Sequence, residues 1–339
     1  MGEYQGRINL SKEDIRFVVN EIFEANASDN TSKEKLLKIA VSLYKEENYD
    51  KILKMLPFEG YKTLEQLIKF VGENGKKEKN ADIKAFIKEC DFRGFRELEK
   101  ALIVCVRAKY GEYLYNVNED ILDGLQGLFT EKNRNIANRY GLMEKLILGM
   151  LYTYGVVNFE FFRKELSRHM KEIISKEEIY DFIFYRLNLN PLAETRMIHW
   201  TNINEKDELI TYLMDEIDDY DRVISIFTEQ KSRDWEYKLF TKKELMNRNR
   251  YLSNENSDKL CNFIKKKDCY FSDYDMQVYN KSVELGENVL EELLDEYEFE
   301  EEEIQSFISL YMEWYNNMPQ YELGGYSPME LAKKCINKR

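Results

Sequence analysis

Proline and glycine are scarce: the 339 residues hold 4 prolines and 15 glycines. That shortage of helix breakers and turn formers excludes collagen-like, proline-rich and turn-dense β architectures, and it favours long helices. Histidine is rarer still, with 2 copies, and the 5 cysteines (Cys90, Cys105, Cys261, Cys269 and Cys335) include no CxxC pair. A zinc finger or thiol-disulfide motif is therefore excluded, the thiols suit a reducing compartment, and neither a metal nor a cofactor is expected. Basic residues are outnumbered 50 to 63, for a formal charge of −13. Such a surface repels phosphate backbones, so generic DNA binding is not expected. Long apolar runs are missing too. The best, Leu146 to Val157, falls short of the roughly 20 residues that span a bilayer, and Met1 to Ser11 shows no targeting pattern. The expectation is a cytoplasmic protein with no membrane partner.

What remains is helix-forming and clearly punctuated. Ser11-Lys12-Glu13-Asp14 precedes the stripe Ile15, Val18, Val19, Ile22 and Phe23, a capped amphipathic helix. Thr31 or Ser32 opens a second helix, over Leu36, Leu37, Ala40, Leu43 and Tyr44. Thr63-Leu64-Glu65-Gln66 has the spacing of a capping box for a third. Gly72 to Asn80 reads as a polar loop; Leu98, Ala101, Leu102 and Cys105 mark another helix, and Ile121 to Leu128 one more. Glu131 to Asn138, polar and aperiodic, reads as a domain boundary.

Residues 139–204 carry the most legible order. A helix over Leu142 to Tyr154 is followed by an extended Gly155-Val156-Val157. Asn158 caps a helix with Phe161, Phe162 and Leu166, and Ser175-Lys176-Glu177-Glu178 caps one with Ile179, Phe182, Ile183 and Leu187. Pro191 ends it, and Thr195 to Trp200 alternates like a strand. Helix, strand, helix, helix, strand is the order of a winged helix. The rest returns to acidic helices, closing on Ser327-Pro328-Met329-Glu330, with serine at N-cap, proline at N1 and glutamate at N3. The expected fold is all-α and multi-domain: a helical domain over 1–130, a winged-helix-like module with a few short strands over 139–204, and an acidic helical domain over 205–339. Strand should be confined mainly to 155–203.

The segment Trp314-Tyr315-Asn316-Asn317-Met318-Pro319, followed by Leu323-Gly324-Gly325-Tyr326-Ser327-Pro328-Met329-Glu330-Leu331, resembles the end of uncharacterised bacterial proteins. Those proteins often carry the small zinc motif also found at the tail of the secretion ATPase SecA. The Tyr154-Gly155-Val156-Val157 and Phe240-Thr241-Lys242-Lys243-Glu244 segments are similar to that group as well, so the resemblance covers roughly 140–339 and implies a bacterial or phage protein. Its paired cysteines are absent, and no metal carries over. The same tail order also resembles the end of retroviral-type transposase domains, whose three carboxylates need a strand-rich core that this chain does not predict. A helix ending at Asn316-Asn317, a Gly-Gly turn and a capped helix is the plainer reading of that stretch.

The candidate sites are few. Glu165, His169 and Glu172 share a helix face at metal-ligand spacing, but lack a further ligand and suit a charged surface. Asp218, Asp219 and Asp221 ahead of Asp234-Trp235-Glu236-Tyr237-Lys238 echo magnesium nucleases, which hold the ion on strand carboxylates; this is the enzymatic alternative. Glu291 to Glu303 holds nine carboxylates in thirteen positions, with Glu300, Glu301, Glu302 and Glu303 consecutive, as a solvated helix start or a patch for a basic partner. The outward face of the helix after Ser175 shows Glu177, Asp181, Phe184 and Asn188. A DNA-reading helix presents Arg, Lys, Asn or Gln, so this face suits protein better. The expectation is a non-enzymatic interaction or adaptor protein working through an acidic-aromatic surface. The alternative is a nucleic-acid-binding regulator that uses the winged module.

Overall fold

Side-chain caps start the helices where the sequence places them. In the computed structural model, which describes residues 11–337 except 57, 75–85, 87–91, 110–111, 118, 184–185, 187–196, 205–206, 214–219, 248–254 and 298, the chain is mainly helical with five short strands. Ser11 and Asp14 form a reciprocal capping box on α1 (Lys12–Phe17), and a π turn over Val18–Ile22 continues it, burying Val18, Val19 and Ile22. Ser32 caps α2 (Lys33–Leu43). Then come α3 (Tyr49–Met55), α4 (Phe58–Asn74), α5 (Phe92–Lys100), β1 (Val104–Lys109), β2 (Glu112–Val117), α6 (Glu119–Leu125) and the long α7 (Glu131–Tyr154). Contacts divide the chain into two compact units, Met1–Glu144 with Ile174–Arg196, and Lys145–Ile173 with Met197–Arg339.

In unit 1 the expected stripe residues Ile15, Leu36, Ala40, Leu98, Ile121 and Leu125 are buried, and Ile52, Leu64, Leu67 and Met143 join them in the core. Three readings of this region need correction. Thr63 does not open a helix: α4 begins at Phe58, directly after Pro57, and Thr63 lies buried inside it. A Cβ on Gly94 would stand 2.1 Å from Thr63 Oγ1, so the buried threonine lies at the crossing of α4 and α5. The helix through Leu98 does not reach Cys105. It stops at Lys100, Leu102 takes a positive φ of 62°, and Val104–Lys109 pairs antiparallel with Glu112–Val117. Alternation of β-branched and aromatic residues around Tyr110-Gly111 was the missed signal. Glu131–Asn138 is no aperiodic boundary but the first turns of α7, where Thr130 Oγ1 accepts from Asn133 N–H.

Unit 2 takes over α7 after Glu144. It continues with β3 (Val156–Asn158), α8 (Phe159–Met170, capped by Asn158), β4 (Met197–Asn204) and β5 (Asp207–Leu213). The sheet is antiparallel in the order β3-β5-β4, with Val157 opposite Ile210 and Trp200 opposite the same Ile210 on the other side. Strand β5 was not anticipated, and with β1 and β2 it takes strand beyond 155–203. The remaining elements are α10 (Tyr220–Ser232), α11 (Lys242–Asn247), α12 (Glu255–Ile264), α13 (Asp273–Glu284), α14 (Leu290–Glu296), α15 (Glu301–Asn317) and α16 (Pro328–Asn337), while α9 (Lys176–Phe182) belongs to unit 1. Helices α12, α13 and α15 enclose an aromatic core of Phe271, Tyr279, Phe307, Tyr311 and Trp314. Buried Asn280 Oδ1 accepts there from Trp314 Nε1 at 2.9 Å and Ser257 Oγ at 2.8 Å. No helix among the described residues is long and apolar enough to cross a membrane.

Candidate functional site

Helix α9 is set by Ser175, whose hydroxyl accepts from Glu178 N–H. Its inner stripe, Ile179 and Phe182, is buried, and Phe182 stacks on Tyr140 with ring centroids 5.6 Å apart. Arg139 pairs with the half-buried Glu178 at 2.7 Å, so that carboxylate is engaged within unit 1. Glu177 and Asp181, one helical turn apart, are exposed as expected from their spacing. Phe184 and Asn188 lie outside the described residues. The aromatic that the structure places on this face is Tyr180, 55 % exposed, which the sequence reading passed over. Its signal was available: Tyr180 falls three residues after Glu177 and outside the Ile179–Phe182–Ile183 stripe.

Of the acidic run, Glu300 and Glu303 cap α15 reciprocally, and Glu303 also pairs with Lys267. That capping role, together with its lysine, keeps the Glu303 carboxyl below the usual range, the lysine being the larger cause. Glu301 and Glu302 are exposed. Among the described residues no strand brings the proposed nuclease carboxylates together. Asp218 and Asp219 lie outside the described residues, Asp221 is on α10, and Glu236 and Lys238 sit in irregular chain paired to Lys334 and Glu330, each at 2.5 Å. Among the described residues no three His, Cys, Asp or Glu side chains gather in a way that could hold a metal ion.

His169 is buried rather than surface-lying, which corrects the reading of its face. Glu165 points its carboxylate to Arg168, and Arg168 Nη2 stands 2.9 Å from His169 Nε2. An arginine only donates, so the ring accepts at Nε2 and is neutral. Burial first, and the Arg168 charge second, hold this histidine below its ordinary pKa.

Two buried polar clusters had no counterpart in the sequence reading. In unit 2, Gln230 Nε2 donates to Val156 O at 2.8 Å and Tyr321 O at 2.6 Å, while its Oε1 accepts from the Tyr237 hydroxyl at 2.8 Å. Tyr237 Oη in turn accepts from Asn158 N–H. The Tyr321 hydroxyl meets Lys281 Nζ and Glu284 Oε2. Gly155, at φ 64°, has no room for a Cβ, which would fall 2.2 Å from the Tyr321 ring, and Tyr154 donates to Lys238 O. Gly324 and Gly325, both at positive φ, turn the tail so that Gly324 O accepts from Lys238 N–H. Thus 154–158, 230–241 and 318–330 form one hydrogen-bonded hook. In unit 1, Arg186 is 2 % exposed and reaches Glu97, Glu144 at 3.2 Å and Met55 O at 3.1 Å. Neither cluster was visible beforehand because its members are dispersed along the chain: Arg186 and Met55 lie 131 residues apart.

Compared with known proteins, the chain matches no family model, no curated protein and no solved structure.

Proposed function

We propose that this chain is a non-enzymatic interaction protein that engages a basic protein partner through the outward face of α9. The observation that carries this reading is Glu177, Tyr180 and Asp181 together on a capped helix whose opposite stripe is already buried. A partly exposed aromatic beside carboxylates has the composition of an interface anchor with a polar rim. The net charge of −13 supports a basic partner by steering its approach. The buried clusters fit structural roles, since every polar contact described in them is internal. A photo-crosslinking residue at position 180 should capture a discrete partner from source cells, with capture falling as salt rises and lost in Asp181→Lys. Capture that persists in Asp181→Lys, or that arises instead from a crosslinker at exposed Tyr274, would assign the interface elsewhere.

A second reading is favoured by one observation. The element order α7-β3-α8-α9-β4-β5 and an antiparallel sheet ordered β3-β5-β4 support the winged-helix reading, with α9 falling in unit 1 and the sheet in unit 2. In that reading α9 is the recognition helix, and its acidic face argues for a protein ligand over DNA. Generic duplex DNA should not be retained at physiological salt; retention lost steeply with added salt would support a nucleic-acid regulator instead.

A further inference from the structure

From Ser282 to Ala332 the chain carries no lysine or arginine, although nine carboxylates fall between Glu291 and Glu303. Part of that charge has a local use. Glu300 and Glu303 cap α15, Glu303 pairs with Lys267, and acids in the first turn of a helix meet its positive end. The rest is not neutralised within unit 2. Glu291, Glu292, Asp295, Glu301 and Glu302 are exposed, and none of them makes an ion pair among the described residues. Asp295 stands in the last turn of α14, where a carboxylate opposes the helix dipole.

The same region leaves apolar surface open. Phe307, Tyr311 and Trp314 turn one stripe of α15 into the core. Along the neighbouring flank Ile304, Ile308 and Met312 follow at spacings of four, with Ile304 36 % exposed, Met312 45 % exposed and Ile308 half-buried. Half-buried Tyr315 extends the flank and stacks on Tyr311 at 5.8 Å. The Tyr311 hydroxyl donates to Asn288 Oδ1 at 2.8 Å, and the same oxygen accepts from Leu290 N–H, which ties α15 to the start of α14 and its acids. The core is already closed by other residues, so folding does not require Ile304 and Met312 to be apolar. We propose that this flank is a docking face for a basic amphipathic helix of a partner protein. The partner's apolar stripe would lie along Ile304, Ile308, Met312 and Tyr315, with its lysines or arginines meeting the exposed acids. Charge selects this occupant: an acidic helix, or another copy of a chain with net charge −13, would be repelled. The face shares no residue with the one on α9 and goes beyond the function proposed above.

The test titrates the full chain, at physiological salt, with a fluorescent helical peptide of about 18 residues, close to the length of α15. It has leucine along one face and lysine elsewhere, and a peptide of the same composition in scrambled order is the control. Binding should saturate at one peptide per chain and be about tenfold or more weaker for the scrambled peptide. Ile304→Ser combined with Met312→Ser touches no fully buried side chain; it should weaken binding about tenfold with little change in melting. Glu301→Gln combined with Glu302→Gln should weaken binding and flatten its salt dependence, whereas Asp181→Lys on α9 should leave binding unchanged. Equal affinity for the two peptides, affinity untouched by the serine pair, or loss of binding in Asp181→Lys would each overturn the proposal. So would self-association of the chain that the serine pair abolishes, since the flank would then be a contact between copies.

Discussion

Replacing Gln230 by methionine gives the sharpest test of the hook. The side chain is 2 % exposed and makes three hydrogen bonds: two donated, to Val156 O and Tyr321 O, and one accepted from Tyr237. Methionine matches its length but offers neither donor nor good acceptor. A buried polar group stripped of its partner costs about 1–3 kcal/mol. The Tyr237 hydroxyl loses its acceptor outright, and two carbonyls each lose one donor, so the variant should lose about 3–5 kcal/mol. For a unit of this size that is a fall of about 6–20 °C in Tm. Tyr237→Phe breaks the Gln230 contact and also the one to Asn158 N–H, and should cost about 2–3 kcal/mol. The two effects should fall short of additivity when combined, since one bond is shared. Thermal unfolding followed by aromatic fluorescence, with hydrogen exchange on β3, is the assay. A Gln230→Met variant within about 1 kcal/mol of the parent, or strict additivity with Tyr237→Phe, would refute the network as the element that holds the tail to β3.

Other perturbations follow from single contacts. Gly155→Ala combines a left-handed backbone with a clash on the buried Tyr321 ring, and chemical denaturation should register a loss of about 2–4 kcal/mol. Ser272→Ala removes a reciprocal cap from α13 and should cost about 1 kcal/mol, measured the same way. Acidification should act through His169. Its folded-state pKa is depressed, so as pH falls through about 6.5 the unfolded chain takes up a proton that the folded ring refuses, and stability drops. A pH series of unfolding curves should show that loss in the parent and a flatter profile in His169→Gln.

The local grammar of the fold was readable because it is written in adjacent residues. Ser11, Ser32, Asn158, Ser175 and Ser327 each accept from a backbone N–H at the start of the helix they were expected to cap. The Gly324-Gly325 turn between α15 and α16 was equally plain. The misreadings arose where a short-range pattern competed with a distant partner. Thr63 looked like a cap because nothing nearby announces its burial against Gly94. Strand β5 was submerged in an acidic stretch, since Asp207 and Glu208 obscure the alternation that follows. At the candidate site, Glu177 and Asp181 were legible from helical spacing. Tyr180 was passed over in favour of Phe184, and the environment of Arg186 could not be inferred from residues so far apart.

The hook also bears on how the protein is made. Tyr321 reaches back to Tyr152, 169 residues earlier, and to the chain around β3. At ribosomal speeds of about 5–20 residues per second, β3 and Gly155 wait on the order of ten seconds or more before their covering segment exists. Throughout that interval the nascent chain leaves β3 without its covering segment and an aromatic seat unfilled, apolar exposure of the kind that recruits chaperones. A ribosome that stops shortly after α15 would release a polypeptide with most of its helices but without the tail that covers β3. Such a product lacks the segment that fills the seat beside β3, so unit 2 gains its full set of hydrogen bonds only once residues 318–330 have been made.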